Sequence, residues 1–138
     1  MQIRPFVPQD QEEVVAIWQR CGLTRPWNDP RKDIARKLQV QPELFLVGVR
    51  EGRIVATAMA GYDGHRGWLS YLAVDPSLQG TGLGRALLEH VEGLLLARGC
   101  PKLNVQIRTD NRGVAELYRH LGYRHDAALS MGKRLIED

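Results

Sequence analysis

The segment Leu72-Ala73-Val74-Asp75-Pro76-Ser77-Leu78-Gln79-Gly80-Thr81-Gly82-Leu83-Gly84-Arg85 constrains this chain most. An apolar strand-like run ends at Val74, and Asp75-Pro76 turns the chain. A glycine-rich loop then runs straight into Leu83 to Arg98. There Leu83, Leu87, Val91, Leu94 and Leu95 share one helix face, and Gly99 follows the end. Strand, glycine loop and helix in immediate succession belong to layered folds of sheet and helix. Glycines let a backbone approach a ligand closely, and the first N–H groups of a helix lack partners and carry positive dipole. The combination is an anion site suited to phosphate groups. A merely tight turn is the plainer alternative, but three alternating glycines exceed what a turn needs. A P-loop would require Gly-Lys-Ser/Thr, which is absent. A dinucleotide fingerprint starting at Gly80 would need glycine where Arg85 stands, and one starting at Gly82 would need it at Leu87.

The surrounding pattern fills in the fold class. Ile3 to Phe6 alternates weakly, and Pro5 suits an edge strand. Val14, Ile17, Trp18 and Cys21 recur at helical spacing after the start signal Asp10…Glu13, and Gly22 stops them. Asp29-Pro30 caps and opens a second helix to about Leu38. Leu44 to Arg50 and Arg53 to Gly61 flank Glu51-Gly52 as a tight hairpin, and Trp68 to Val74 is a further strand. Leu103 to Ile107 alternates as a strand, and Val114, Leu117, Tyr118 and Leu121 mark a last helix that stops at Gly122. Tyr123 to Ala128 and Ser130 to Ile136 are expected to close the sheet as two strands. The expected architecture is α/β: a mixed, mostly antiparallel central sheet with about four helices on both faces.

No linker, repeat or low-complexity tract interrupts the chain, so residues 1–138 are expected to form one domain. A formal charge of +3 is compatible with an anionic ligand, but no dense basic block with interleaved aromatics argues for nucleic acid. Cys21 and Cys100 lack partners at metal-ligand spacing and are expected to be reduced thiols, so no metal is expected. No apolar leader follows Met1, and the longest aliphatic run, Leu94 to Ala97, is far short of the ~20 residues that span a bilayer. A cytoplasmic protein without membrane attachment is therefore expected.

Gln79-x-x-Gly82-x-Gly84 resembles the Q/R-x-x-G-x-G/A signature of the GNAT acetyltransferases, in the same strand–loop–helix position. Asn111-x-x-x-Ala115-x-Leu117-Tyr118-x-x-x-Gly122-Tyr123 resembles that family's second conserved segment. Arg25 to Pro30, Tyr62 to Gly67 and Gly132 to Asp138 are similar to its YpeA branch. The resemblance spans essentially the whole chain. It implies the GNAT fold and transfer of an acetyl group from acetyl-CoA, as cosubstrate, to a primary amine. It also implies cofactor contacts from Leu72, Ala73, Val74, Gln79, Gly80, Thr81, Gly82, Leu83, Gly84, Arg85, Asn111 and Tyr118.

Acetyl transfer needs a neutral amine, a donor for the oxyanion, and a proton for the departing thiolate. The resemblance makes Tyr118 the acid, although its spacing also suits a packing residue. Asn111 can contact cofactor or merely cap its helix. Gln106 aligns with a Glu that serves as base in some relatives, and an amide cannot accept a proton. Asp63 and His65 are the nearest titratable alternatives, a water relay another, and a surface turn the plainer role for that loop. Trp27, Asn28 and Asp29 would frame the acceptor, with packing and capping as their simpler roles. Neither cysteine lies in a site segment, so transfer is expected to be direct. A small or exposed amine is the expected acceptor, and a homodimer is compatible with the sequence. A non-catalytic acyl-CoA-binding module is the rival class that Gln106 keeps open.

Overall fold

The computed structural model describes residues 1–138. Five strands lie side by side in chain order: β1 (Gln2–Pro5), β2 (Phe45–Arg50), β3 (Arg53–Tyr62), β4 (Gly67–Val74) and β5 (Leu103–Val105). All neighbours are antiparallel except β4 and β5, which run parallel because a helix crosses between them. That helix is α3 (Leu83–Ala97); the others are α1 (Gln11–Arg20), α2 (Pro30–Lys37) and α4 (Arg112–His120). Pro5 sits on the edge strand β1, where its missing N–H costs no ladder bond. Glu51 (φ 52°) and Gly52 (φ 73°) both turn left-handed, as a two-residue hairpin loop requires.

Strand alternation splits the apolar residues into two cores. Phe45 and Val47 point to one face and pack with Val14, Ile17, Trp18 and Ile34 from α1 and α2. Leu46, Ala58 and Ala60 point to the other and meet Leu87, Leu88, Val91 and Leu95 of α3 and Tyr118 of α4. The small alanines of β3 let α3 sit close to the sheet. The carboxylate of Asp29 caps α2 by accepting from Arg31 N (2.9 Å) and Lys32 N (3.4 Å), with Pro30 at the first helical position.

The two closing strands expected over Tyr123 to Ala128 and Ser130 to Ile136 do not form. Side chains hold that segment instead: Lys102 to Asp126 (2.7 Å), Gln106 to Ser130 (2.6 Å), and Arg134 to Asn28 (3.1 Å). Asp138 accepts from Asp29 N (2.9 Å) and from Arg36 (2.5 Å), and its carboxyl is lowered to about 2, mainly by Arg36. Alternation makes a strand only where one face can be buried. Leu129, Met131 and Leu135 are 92%, 90% and 88% exposed, so no face is buried here.

Asp10 anchors the entry to α1 but not as that helix's side-chain cap. It takes two hydrogen bonds from Arg4 (2.7 and 3.0 Å) and one from Val7 N (2.9 Å). The Arg4 hydrogen bond, aided by Val7 N–H, holds its carboxyl below the usual range against the opposing effect of burial. A depressed folded value means that the stabilisation is complete above the unfolded pKa of about 3.9 and is lost as pH falls through the folded value. Asp10→Asn should therefore cost about 1.5–3 kcal/mol at pH 7, the range for hydrogen bonds to charged groups. Urea unfolding of parent and variant should show that difference shrinking steadily below pH 4.

Candidate active site

β4 is eight residues long, yet it pairs with β5 only through Gly67, Leu69 and the residue between them, opposite Leu103 to Val105. From Ser70 to Val74 it has no β5 partner, because the chain beyond Val105 leaves the sheet. The two strands thus bound a cleft that is closed at Leu69 and opens toward Val74. On its other side β4 carries a bulge: Thr57 pairs with Ala73 but Met59 with Ser70, leaving Tyr71 and Leu72 opposite Ala58 alone. Tyr71 has φ 52°, a conformation that costs a bulky residue roughly 1–2 kcal/mol and must be held in place. Its ring stacks on Trp18 with centroids 3.7 Å apart, its hydroxyl donates to Asp33 (2.7 Å), and its carbonyl accepts from the Thr57 hydroxyl (2.7 Å). Burial, then the Asp33 carboxylate, pushes the Tyr71 phenol well above its ordinary value, so it stays a donor.

At the open end of the cleft, the loop after β4 enters α3. Gly80 (φ 79°) and Gly82 (φ 88°) are left-handed, and Gly82 is the residue from which the helix starts. A Cβ at either would meet nothing within 4 Å, so the space over the loop is open to a ligand. No side chain caps this helix start and no acidic residue lies in its first turn, which leaves the N–H groups available to an anion. The loop is fastened from below. Asp75 accepts from Ser77 N (3.1 Å) and Arg20 (2.8 Å), Gln79 donates to Val74 O (3.1 Å), and Thr81 donates to Leu78 O (2.5 Å). Gly84 brings α3 against β4, since a Cβ there would lie 3.4 Å from Val74 Cγ2.

Tyr118 on α4 is 7% exposed and meets Tyr123 edge to face at 5.2 Å. The Tyr123 hydroxyl is committed to Glu92 (2.7 Å), whereas that of Tyr118 has no protein partner. No fully buried polar side-chain atom lacks a partner, so the Tyr118 oxygen must reach open space. Burial pushes its phenol up to about 12. Asn111 accepts from Val114 N (3.3 Å) as the cap of α4.

The other expected site residues divide. Asp63 folds its carboxylate back onto His65 N (2.8 Å) and Arg66 N (2.7 Å), an Asx turn that lowers its pKa. That loop precedes Gly67, beyond the closed end of the cleft. The eight residues of β4 separate that loop from the glycine loop. Asp63 and His65 therefore stand at the opposite end of β4 from the glycine loop. Gln106 is exposed and donates to Ser130 (2.6 Å). Trp27, 59% exposed, lines an open cavity of about 520 Å³ with Arg36 and the segment Gly132 to Ile136. Asn28 donates to Asp33 (2.5 Å) and Tyr71 (3.2 Å), while Asp29 is occupied as a cap. Asp33 and Tyr71 join this side of the cleft without having been singled out in the sequence. Asp33 lies one helical turn after Asp29, the one signal that could have found it. No group of three or more His, Cys, Asp or Glu side chains is placed to hold a metal ion, and no helix is long and apolar enough to cross a membrane.

Comparison with known proteins agrees with this geometry. Residues 12–123 match the Acetyltransferase (GNAT) family. The ribosomal-protein-S18-alanine N-acetyltransferase from Escherichia coli is 29% identical, with a TM-score of 0.76 over 91% of this chain and 79% of that one. Ard1 from Thermoplasma volcanium is 27% identical, with a TM-score of 0.79 over 91% and 84%. An aminoglycoside 6'-N-acetyltransferase from Acinetobacter haemolyticus shares the fold at 16% identity, with a TM-score of 0.75 over 99% and 100%. With its parted strands, glycine loop and family match over residues 12–123, the chain belongs to the GNAT acetyltransferase family.

Proposed function

We propose that this protein transfers an acetyl group from acetyl-CoA directly to a primary amine, with both substrates bound together. The observation that carries this is the parting of β4 from β5 beside a helix start that offers uncapped N–H groups. The loop from Gln79 to Arg85 would hold the pyrophosphate, and the unpaired edge from Leu72 to Val74 would hydrogen-bond the pantetheine arm. The amine nitrogen attacks the thioester carbon, the carbonyl electrons move to oxygen, and collapse of the tetrahedral species breaks the carbon–sulfur bond. The bulge frees backbone N–H groups of β4 to receive the oxyanion. The amine's proton leaves through water, since Gln106 cannot take it.

Tyr118 is the hydrogen-bond donor to the departing sulfur. Its pKa of about 12 lies above the ~8.5 of an unperturbed thiol, so full transfer to the free thiolate would be uphill. It therefore acts by hydrogen-bonding the sulfur as charge builds, which places its contribution at or below the low end for acid catalysis.

The acceptor side is framed by Trp27, Asn28 and Asp29. Two segments that resemble the YpeA branch, Arg25 to Pro30 and Gly132 to Asp138, meet there through Arg134–Asn28 (3.1 Å) and Asp138–Asp29 N (2.9 Å). Their meeting favours placing the chain in that branch. The relatives above act on a ribosomal protein's alanine and on an aminoglycoside, so a small molecule or an exposed terminal amine is the acceptor class that fits. Two free thiols suit the reducing cytoplasm. The exposed Leu129, Met131 and Leu135 favour a homodimer through that segment. Gln106 alone speaks for a non-catalytic acyl-CoA-binding module.

Turnover of acetyl-CoA across polyamines, amino acids, aminosugars and peptides separates the two. At least one amine should release CoA, with initial-rate lines that intersect as direct transfer demands. No turnover, with acetyl-CoA still bound, would leave a binding module. Tyr118→Phe should lower kcat on that amine about 10–100-fold with acetyl-CoA affinity nearly unchanged. Equal rates for variant and parent would leave Tyr118 a packing residue.

A further inference from the structure

The bulged Tyr71 is held from behind by a buried chain of hydrogen bonds. Trp18 on α1 donates its indole N–H to Thr57 Oγ1 (2.9 Å), and the Thr57 hydroxyl donates to the Tyr71 carbonyl oxygen (2.7 Å). Trp18 and Thr57 are both 0% exposed, and Thr57 is the only polar side chain in the buried stretch Ile54 to Ala58 of β3. The order of donors is fixed. An indole N–H can only donate and a carbonyl can only accept, so the one hydroxyl proton must point at Tyr71 O. A valine would fill the same volume without a hydroxyl to satisfy, so packing alone does not account for the threonine.

The chain contains no cis peptide bond, so the Tyr71 C=O and the Leu72 N–H of one planar peptide point in opposite directions. The carbonyl is fixed toward Thr57, in the layer of α1 and α2. The Leu72 N–H is therefore aimed away from it, toward the layer of α3 and α4 that holds Tyr118. Leu72 has no one-to-one partner on β3, where it shares Ala58 with Tyr71 across the bulge, and none on β5. We infer that Trp18 and Thr57 are positioning residues that aim the Leu72 N–H at the thioester carbonyl, so that it receives the oxyanion opposite the hydroxyl of Tyr118. This rests on acetyl transfer in the cleft between β4 and β5.

Thr57→Val keeps the shape and removes the hydroxyl, while Thr57→Ser restores the hydroxyl and removes only a methyl. Losing a whole oxyanion donor costs about 10²–10³ in kcat, and a misaimed donor should cost less, about tenfold, for Thr57→Val. KM for acetyl-CoA should stay within about twofold, since ground-state binding does not use the oxyanion contact, and Thr57→Ser should return kcat to within about threefold of the parent. The Leu72 amide resonance should shift in Thr57→Val and return in Thr57→Ser. A valine variant at the parent's kcat, or a serine variant as slow as the valine one, overturns the positioning role while acetyl transfer stands. A parent chain that turns over no amine overturns both. If Thr57→Val does not fold, Trp18→Phe tests the same chain from its other end. Freeing the Thr57 hydroxyl to rotate should lower kcat about threefold at unchanged KM, and a parent-like kcat overturns the inference.

Discussion

The chemistry proposed for this molecule depends on β4 and β5 pairing briefly and then separating. Three residues of parallel ladder, Gly67 to Leu69 with Leu103 to Val105, are enough to fix the strands' direction and spacing. Beyond them, the side of β4 that faced β5 continues unpaired. An unpaired strand edge there needs hydrogen-bond partners, and an extended amide-bearing ligand can supply them. The sheet is left one interaction short at the position where the glycine loop points its N–H groups.

The two helical layers then divide the work. On the proposed reading, α3 supplies the anion cradle and α4 the unpartnered Tyr118 hydroxyl, both from the layer that holds the α3 core. α1, α2 and the connection between them supply Trp18, Asp33 and Asn28, which grip Tyr71 from the other side by stacking and hydrogen bonds. A left-handed tyrosine in mid-strand persists only when its surroundings over-determine it, and four separate contacts do so here.

Much of the scaffold was legible in the sequence because it depends on local chemistry. Asp29-Pro30 caps a helix, Glu51-Gly52 turns a hairpin, and the glycines from Gly80 to Gly84 mark the loop whatever surrounds them. The bulge was not legible, since one extra residue in β4 leaves its composition unchanged and alters only its register. Asp63 and His65 are near β4 in sequence, but an eight-residue strand carries its two ends about 23 Å apart, which puts their loop and the glycine loop at opposite ends of it. The carboxyl-terminal segment alternates as a strand should, yet no face of it is buried. Thr57 is a lone hydroxyl in the apolar run Ile54 to Ala58, and nothing local to that run sets it apart. Its role required Trp18, 39 residues away in sequence.

The most direct test of the cleft is an amide NMR titration of the protein with acetyl-CoA, because it reports every backbone N–H separately and needs no acceptor. If acetyl-CoA lies between β4 and β5 with its pyrophosphate on the helix start, the largest shifts should fall on Leu72 to Val74 and on Gly80 to Arg85. The loop from Asp63 to Arg66, beyond the closed end, should stay unmoved. Shifts centred on that loop, or none on the glycine loop at saturating acetyl-CoA, would contradict the account.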